Sequence, residues 1–276
     1  MLKIAVIQMN SQSDKPGNLR AIAGLVDAAV ERDQPDWVLL PEHCEWLGGS
    51  AGAPAIAEPH IGGETYQLLA GLARRHRIWI HGGSFYEAAG KDRAYNTSVV
   101  FDRTGREVER YRKIHLFDVT TADGARYHES ATVEPGDHIA VYDCEGIRVG
   151  CSICYDVRFP ELYQALAARG AELIAVPAAF TLLTGKDHWE TLLRARAIET
   201  GCWVAAAVQW GSYPTPAGER HSFGQSLIAD PWGHVLARVS DGIGFASTHL
   251  DPAVTARVRG QIPVLANKAI GVRVQP

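Results

Sequence analysis

The sequence predicts an α/β fold: a four-layer α-β-β-α sandwich made of two similar α/β halves in one domain. Three observations lead there. Short buried-strand runs alternate with stretches of helical apolar spacing. The order of elements in the first half recurs in the second. Two hairpins and two strand-to-proline segments, one from each half, align residue by residue.

The elements read in order as follows. Residues 2–8 form a buried strand. Residues 18–31 carry Leu19, Ile22, Leu25, Val26 and Ala29, the spacing of one helix face. Residues 37–40 are a second strand, residues 64–76 a second helix and residues 78–82 a third strand. Residues 97–101 and 107–112 pair as a hairpin around Asp102-Arg103-Thr104-Gly105, with glycine where the turn wants a positive φ. In the second half, residues 147–153 are a buried strand and residues 160–169 a helix with Pro160 at its start. A strand at 173–176, a helix at 189–199 and a strand at 203–208 follow. Residues 226–229 and 235–239 form a second hairpin around Asp230-Pro231-Trp232-Gly233.

Ser98-Val99-Val100-Phe101-Asp102-x-x-Gly105 lies over Ser226-Leu227-Ile228-Ala229-Asp230-x-x-Gly233. Val38-Leu39-Leu40-Pro41 lies over Ile174-Ala175-Val176-Pro177. Each half then supplies a sheet with helices on one face, and the two sheets pack through their other faces. No Pro/Ser/Gly-rich linker separates the halves, so residues 1–276 are read as one domain.

Composition narrows the function. Hydrophobic residues at 46% and charged residues at 21% are those of an ordinary globular protein. Lys+Arg 27 against Asp+Glu 31 leaves a net charge of −4, with no basic excess to hold nucleic acid. The longest apolar stretches fall short of the roughly 20 residues of a membrane helix. The first residues run straight into a strand pattern without a signal-peptide layout. An odd count of 5 cysteines argues against a disulfide scaffold and for a reducing, cytoplasmic setting.

The sharpest local feature is Gly150-Cys151-Ser152-Ile153-Cys154-Tyr155-Asp156-Val157-Arg158-Phe159-Pro160-Glu161-Leu162. A strand ending at Ile153 and a helix beginning near Phe159 place Cys154 at a strand-to-helix turn, beside a helix N-terminus that favours thiolate. Backbone N–H groups of such a turn can face an oxyanion. Cys151 and Cys154 also spell C-x-x-C, but alternation turns Cys151 into the core, and no second ligand pair occurs at zinc spacing. A nucleophilic cysteine needs a base and an oxyanion stabiliser. Glu42 follows a buried strand in Trp37-Val38-Leu39-Leu40-Pro41-Glu42, and Lys113 ends another in Arg110-Tyr111-Arg112-Lys113-Ile114-His115-Leu116-Phe117. Singly, each reads equally well as a surface charge.

In that order the three segments resemble the pattern of the nitrilase superfamily of carbon–nitrogen hydrolases, along almost the whole chain. The nearest match is its amidase branch, which includes ω-amidase and deaminated-glutathione amidase. Further matching segments are Pro177-Ala178-Ala179-Phe180-Thr181, Thr184-Gly185-x-x-His188-Trp189-Glu190, Leu193-Arg194-Ala195-Arg196-Ala197-Ile198-Glu199 and Asp230-Pro231-Trp232-Gly233. The family fold is the α-β-β-α sandwich reached above from the repeat.

The resemblance implies a catalytic triad of Glu42, Lys113 and Cys154 and acyl transfer through a thioester, with no metal and no organic cofactor. Lys113 and the backbone N–H of Tyr155 would hold the oxyanion. Glu129, in Tyr127-His128-Glu129-Ser130, matches a second glutamate of the family and would orient Lys113 or the substrate. Phe180, Thr181 and Arg158 are the expected substrate contacts, Arg158 toward a carboxylate. Asp156, Arg158, Glu190 and Arg194 would brace the nucleophile turn. The implied substrate is a small linear amide with water as co-substrate, and the implied assembly a homodimer or higher homo-oligomer. A nitrilase or N-carbamoyl-amine hydrolase with the same triad is the alternative. Two departures stand out. The tail from Pro263 lacks the family's basic pair followed by an aromatic, and His43-Cys44-Glu45-Trp46 after the base matches no one specificity. Cys44 is open there as a second thiol beside the base.

Overall fold

A computed structural model describes residues 1–122 and 124–270. The first half contains β1 (Leu2–Gln8), α1 (Lys15–Asp33), β2 (Trp37–Leu39), the short α2 (Ala53–Ile56), α3 (Glu64–His76), β3 (Trp79–His81), β4 (Phe85–Ala88), β5 (Ala94–Phe101) and β6 (Glu107–Arg112). Between the halves lie β7 (Asp118–Thr120), β8 (Arg126–His128) and β9 (Val133–Glu134). The second half contains β10 (Val141–Cys144), β11 (Ile147–Cys151), α4 (Pro160–Ala168), β12 (Leu173–Ala178), α5 (Leu182–Thr200), β13 (Trp203–Val208), β14 (Trp210–Thr215), β15 (Gly218–Phe223), β16 (Leu227–Ala229) and β17 (Val235–Arg238). β18 (Gly244–Leu250) and α6 (Pro252–Gln261) follow.

Two sheets carry the fold. One runs β18-β1-β2-β3-β5, with β4 and β6 both paired to β5. The other runs β10-β11-β12-β13-β16-β17. Their cores correspond strand for strand. β1, β2 and β3 are parallel and β5 and β6 antiparallel, as are β11, β12 and β13 against β16 and β17. Even the hairpin irregularities coincide, at Val100/Phe101 and Ile228/Ala229. The two turns share one geometry. Asp102 Oδ1 accepts from Thr104 N and Arg106 N, and Asp230 Oδ1 from Trp232 N and His234 N. Gly105 and Gly233 take φ of 78° and 85°, where a β-carbon is strained.

Alternation along the strands assigns the layers. Ile4, Val6, Trp37 and Leu39 join the core between the sheets, with Val149, Cys151 and Ala175 opposite. Ala5, Ile7, Val38 and Leu40 instead pack with Ile22, Val26, Leu69 and Ala73 of α1 and α3. α4 and α5 cover the far face of the second sheet through Leu166, Trp189 and Leu193. The four-layer sandwich of two similar halves is therefore present.

Several boundaries differ from expectation. α5 begins seven residues earlier than its apolar spacing suggests, because Leu182 and Leu183 are exposed and Gly185 packs on Phe223. β11 stops at Cys151 rather than at Ile153. Several of the unread elements are short, polar or glycine-containing. β18, which closes the first sheet antiparallel to β1, is one of them. Among the described residues no helix is long and apolar enough to cross a membrane.

Candidate active site

The site forms where strands of both halves end, the usual place for ligands in α/β sheets. After β11, Ser152 ties the chain to β12 through Ala175 O. Cys154 then opens a 3-10 turn, Cys154–Arg158, with a left-handed φ of 47°. It does not sit at the N-terminus of α4, which begins only at Pro160. Strain of this kind persists only where the surroundings over-determine it. Asp156 does so here: its buried carboxylate accepts from Ile153 N at 2.8 Å, Tyr111 OH at 2.7 Å, His115 N at 3.1 Å and His115 Nδ1 at 2.7 Å. Arg196 Nε adds a bond to Val157 O at 2.8 Å. Glu190 and Arg194 do not brace this turn. Glu190 pairs with Arg194 and with Arg238, while Arg194 Nε donates to Gly233 O.

Glu42, carried past the end of β2, and Lys113, just past β6, are each only 2% exposed. Lys113 Nζ donates to Glu42 Oε1 at 3.0 Å and to Glu129 Oε2 at 2.8 Å. Asn96 on β5 joins the same two acids, its Nδ2 donating to Glu42 Oε1 at 2.9 Å and Glu129 Oε1 at 3.2 Å. Glu42 Oε2 accepts from Ala179 N at 2.8 Å, and Glu129 Oε2 from Phe117 N at 2.6 Å. Cys154 shares the pocket wall with Glu42, whose charge acts on the thiol. The structure thus brings Glu42, Lys113, Glu129 and Cys154 together. Asn96 escaped the sequence reading, although an asparagine amid buried strand residues is a signal of its own.

Charge assigns the resting protons. Burial raises the Glu42 carboxyl, but Lys113, together with smaller contributions from His43 and other neighbours, holds the group below the usual carboxylate range. Burial lowers Lys113, yet Glu129 and Glu42 hold its ammonium well above the ordinary value. Burial pushes the Cys154 thiol well up, with the Glu42 charge adding and Lys113 opposing. The resting site is therefore a thiol facing a carboxylate, although a position beside a helix N-terminus would favour thiolate. Glu42, His43 and Glu129 could in principle share a cation. The Lys113 ammonium already bridges the two carboxylates and does that work.

A family profile, carbon–nitrogen hydrolase, matches residues 3–260. The chain belongs to the carbon–nitrogen hydrolase family. It is 42% identical to a deaminated glutathione amidase of Synechocystis over 272 residues, covering 96% of this chain and 97% of that one. It is 38% identical to the omega-amidase NIT2 of Mus musculus, over 96% and 94% of the two chains. The crystal structure of Saccharomyces cerevisiae Nit3, a member of branch 10 of the nitrilase superfamily, superposes with a TM-score of 0.85 at 30% identity, over 97% and 96%.

In this carbon–nitrogen hydrolase the four residues line one pocket with Tyr155, Arg158, Phe180 and Thr181. Phe180 packs on Trp189, and the Arg158 guanidinium stands 5.1 Å from the Phe180 ring centre. The pocket roof was not foreseen. Arg126 and Tyr127 of the β7–β8 hairpin meet Arg220 of the β14–β15 hairpin. Arg220 donates to Arg126 O at 2.8 Å and stands over the Tyr127 ring at 3.9 Å. Cys44 is no second reactive thiol. It is fully buried outside the pocket lining, its Sγ faces Ser84 O at 3.3 Å, and burial pushes its thiol well up. Cys151 lies in the core between the sheets.

Proposed function

We propose that this chain is a cofactor-free amidase that hydrolyses the C–N bond of small linear amides to carboxylate and ammonia. The observation that carries this reading is the meeting of Glu42, Lys113 and Cys154 in one buried pocket. Glu42 takes the Cys154 proton as sulfur attacks the amide carbon. The tetrahedral oxyanion lies against Lys113 and the Tyr155 N–H. Glu42 passes its proton to the departing amine, leaving a Cys154 thioester. It then deprotonates water, which attacks the thioester, and the proton returns to sulfur. Glu129 and Asn96 hold the ammonium and carboxylate in register.

The amidase names of the relatives favour amides over nitriles or carbamoyl compounds. Arg126, Arg158 and Arg220 border the pocket without a carboxylate ion pair among the described residues, which suits an amide bearing a carboxylate, as in an ω-amide or deaminated glutathione. Phe180 and Thr181 would bound the acyl side. We read the chain as one domain working in the cytoplasm. Exposed Ile198, Trp232 and Leu236 support association into a homo-oligomer.

The test is ammonia release over a panel of glutaramate, succinamate, deaminated glutathione, aliphatic amides, nitriles and N-carbamoyl amino acids. Ammonia from the carboxylate-bearing amides, abolished in a folded Cys154→Ala variant, is expected. Turnover surviving Cys154→Ala would refute the mechanism.

A further inference from the structure

Gln209 directly follows β13, is fully buried and has no part in the chemistry above. Its main chain belongs to the second half. Its N–H donates to Ala178 O at 2.9 Å, at the end of β12. The next N–H of that chain, Ala179 N, is the one that Glu42 Oε2 accepts at 2.8 Å. The Gln209 side chain reaches the other way, into the turn of the first half that carries the base.

Side chains hold four successive carbonyls of that turn. Gln209 Nε2 donates to Glu42 O at 2.9 Å, and His43 O stands 3.4 Å from the same nitrogen. Ser11 Oγ donates to Cys44 O at 3.0 Å, and Asn18 Nδ2 to Glu45 O at 2.9 Å. Gln209 and Ser11 also bind each other twice. Gln209 Nε2 donates to Ser11 Oγ at 2.8 Å, and Ser11 N donates to Gln209 Oε1 at 2.9 Å. These partners fix which way the amide points. A carbonyl oxygen only accepts and a main-chain N–H only donates, so the NH2 faces Glu42 O and the oxygen faces Ser11 N. The amide's hydrogens and its oxygen are thus engaged inside the protein, and it acts on the site through what it holds. The turn needs that support. His43 is left-handed, with φ of 55°, a conformation that persists only where its surroundings over-determine it.

We infer that Gln209 is a positioning residue for the general base, its side-chain amide fixing the Glu42 main chain against the sheet that bears Cys154. The inference rests on the amidase reading above. In that reading Glu42 takes the thiol proton, gives it to the leaving nitrogen and then deprotonates water, so one carboxylate must reach three partners in turn. Glu42 is tied to the second half at its carboxylate by Ala179 N and at its main chain by Gln209. Both ties start from the ends of neighbouring strands, β12 and β13, beside the β11 that leads to Cys154. Without the main-chain tie the carboxylate keeps its charge but shifts relative to sulfur and the leaving nitrogen. A misplacement of about 1 Å can cost about 100-fold in rate.

The experiment compares kcat/KM for one acyl group presented as its primary amide and as its p-nitrophenyl ester. Both substrates acylate Cys154, and both need Glu42 to take the thiol proton. Only the amide also needs Glu42 to protonate the leaving group, because p-nitrophenolate departs as an anion. The ratio of the two does not depend on how much of a variant folds. Gln209→Met keeps the length of the side chain without its hydrogen bonds. Ser11→Ala removes the hydroxyl that orients the amide and leaves Gln209 in place. The amide-to-ester ratio is expected to fall about tenfold in Gln209→Met and about threefold in Ser11→Ala. A purely structural role would lower both substrates equally. An unchanged ratio in Gln209→Met, or in Ser11→Ala where Gln209→Met does not fold, would overturn the inference while leaving the amidase reading intact. No Cys154-dependent turnover of the amide by the wild-type chain would remove the amidase reading, and this role with it.

Discussion

At the floor of the pocket one ammonium is shared between two carboxylates, and the two acids do different work. Glu42 keeps one oxygen on Lys113 and Asn96, while the other takes the Ala179 N–H. Its charge acts on the Cys154 thiol in the same pocket, and in the proposed reaction it is the group that moves protons. Glu129 is tied to Lys113, Asn96 and Phe117 N and acts on the reaction through Lys113. Glu129→Gln removes the charge that holds the ammonium in place. The expected result is a folded protein whose kcat falls by about 100-fold or more, with KM changed far less. Steady-state kinetics on the best amide checks this, and wild-type kcat would contradict it. Glu42, Lys113 and Cys154 were legible because their three segments, in that order, resemble one family pattern; singly, Glu42 and Lys113 read as surface charges. Asn96 was not, because its role depends on neighbours far away in the chain. The balance of charge on Cys154 is likewise set by residues distant in the chain. Sequence position suggests a helix N-terminus, but burial and the neighbouring Glu42 charge decide.

At the scale of elements, the segment between β2 and β4 positions the base, and Glu45 secures it. Its Oε1 accepts from Tyr86 N on β4 at 2.8 Å, and its Oε2 is buried without a partner. Burial pushes this carboxyl up to about 8, so the folded chain holds it protonated at neutral pH. The unfolded chain ionises it near the ordinary glutamate value of 4.5. Between those values the unfolded state binds fewer protons, so the stability this group allows falls as pH rises through that window. Glu45→Gln removes the titration. Its melting temperature relative to the wild-type chain should therefore be higher at about pH 8 than at about pH 5. A difference independent of pH would show that Glu45 is not buried as an acid. Periodicity found most of the central strands of the two sheets and the helices α1, α3, α4 and α5, because each buries one regular face, but not the strands β4, β10 and β18. It missed the β7–β8 and β14–β15 hairpins, which bury little and are held over the pocket by Arg220. The substrate-facing roof was therefore the least legible part.

Across the whole molecule, the two halves repeat one strand order, and each gives the site part of its machinery. Glu42 and Lys113 come from the first half and Cys154 and Ala179 from the second, so the site exists only where the sheets pack. Leu39 lies fully buried in that shared core. Leu39→Ala should cost about 2–5 kcal/mol and lower a single cooperative unfolding transition. Two separate transitions would contradict one domain. The repeat was legible because its turn chemistry, Asp102 to Gly105 and Asp230 to Gly233, is local. The convergence of both halves on one thiol is the central claim. It is tested most directly by quenching the wild-type enzyme in acid during amide turnover and mapping the adduct by peptide mass spectrometry. The predicted result is an acyl group on the peptide containing Cys154, absent from Cys154→Ala. An acyl group on another residue, or turnover with no adduct and a dispensable Cys154, would contradict it.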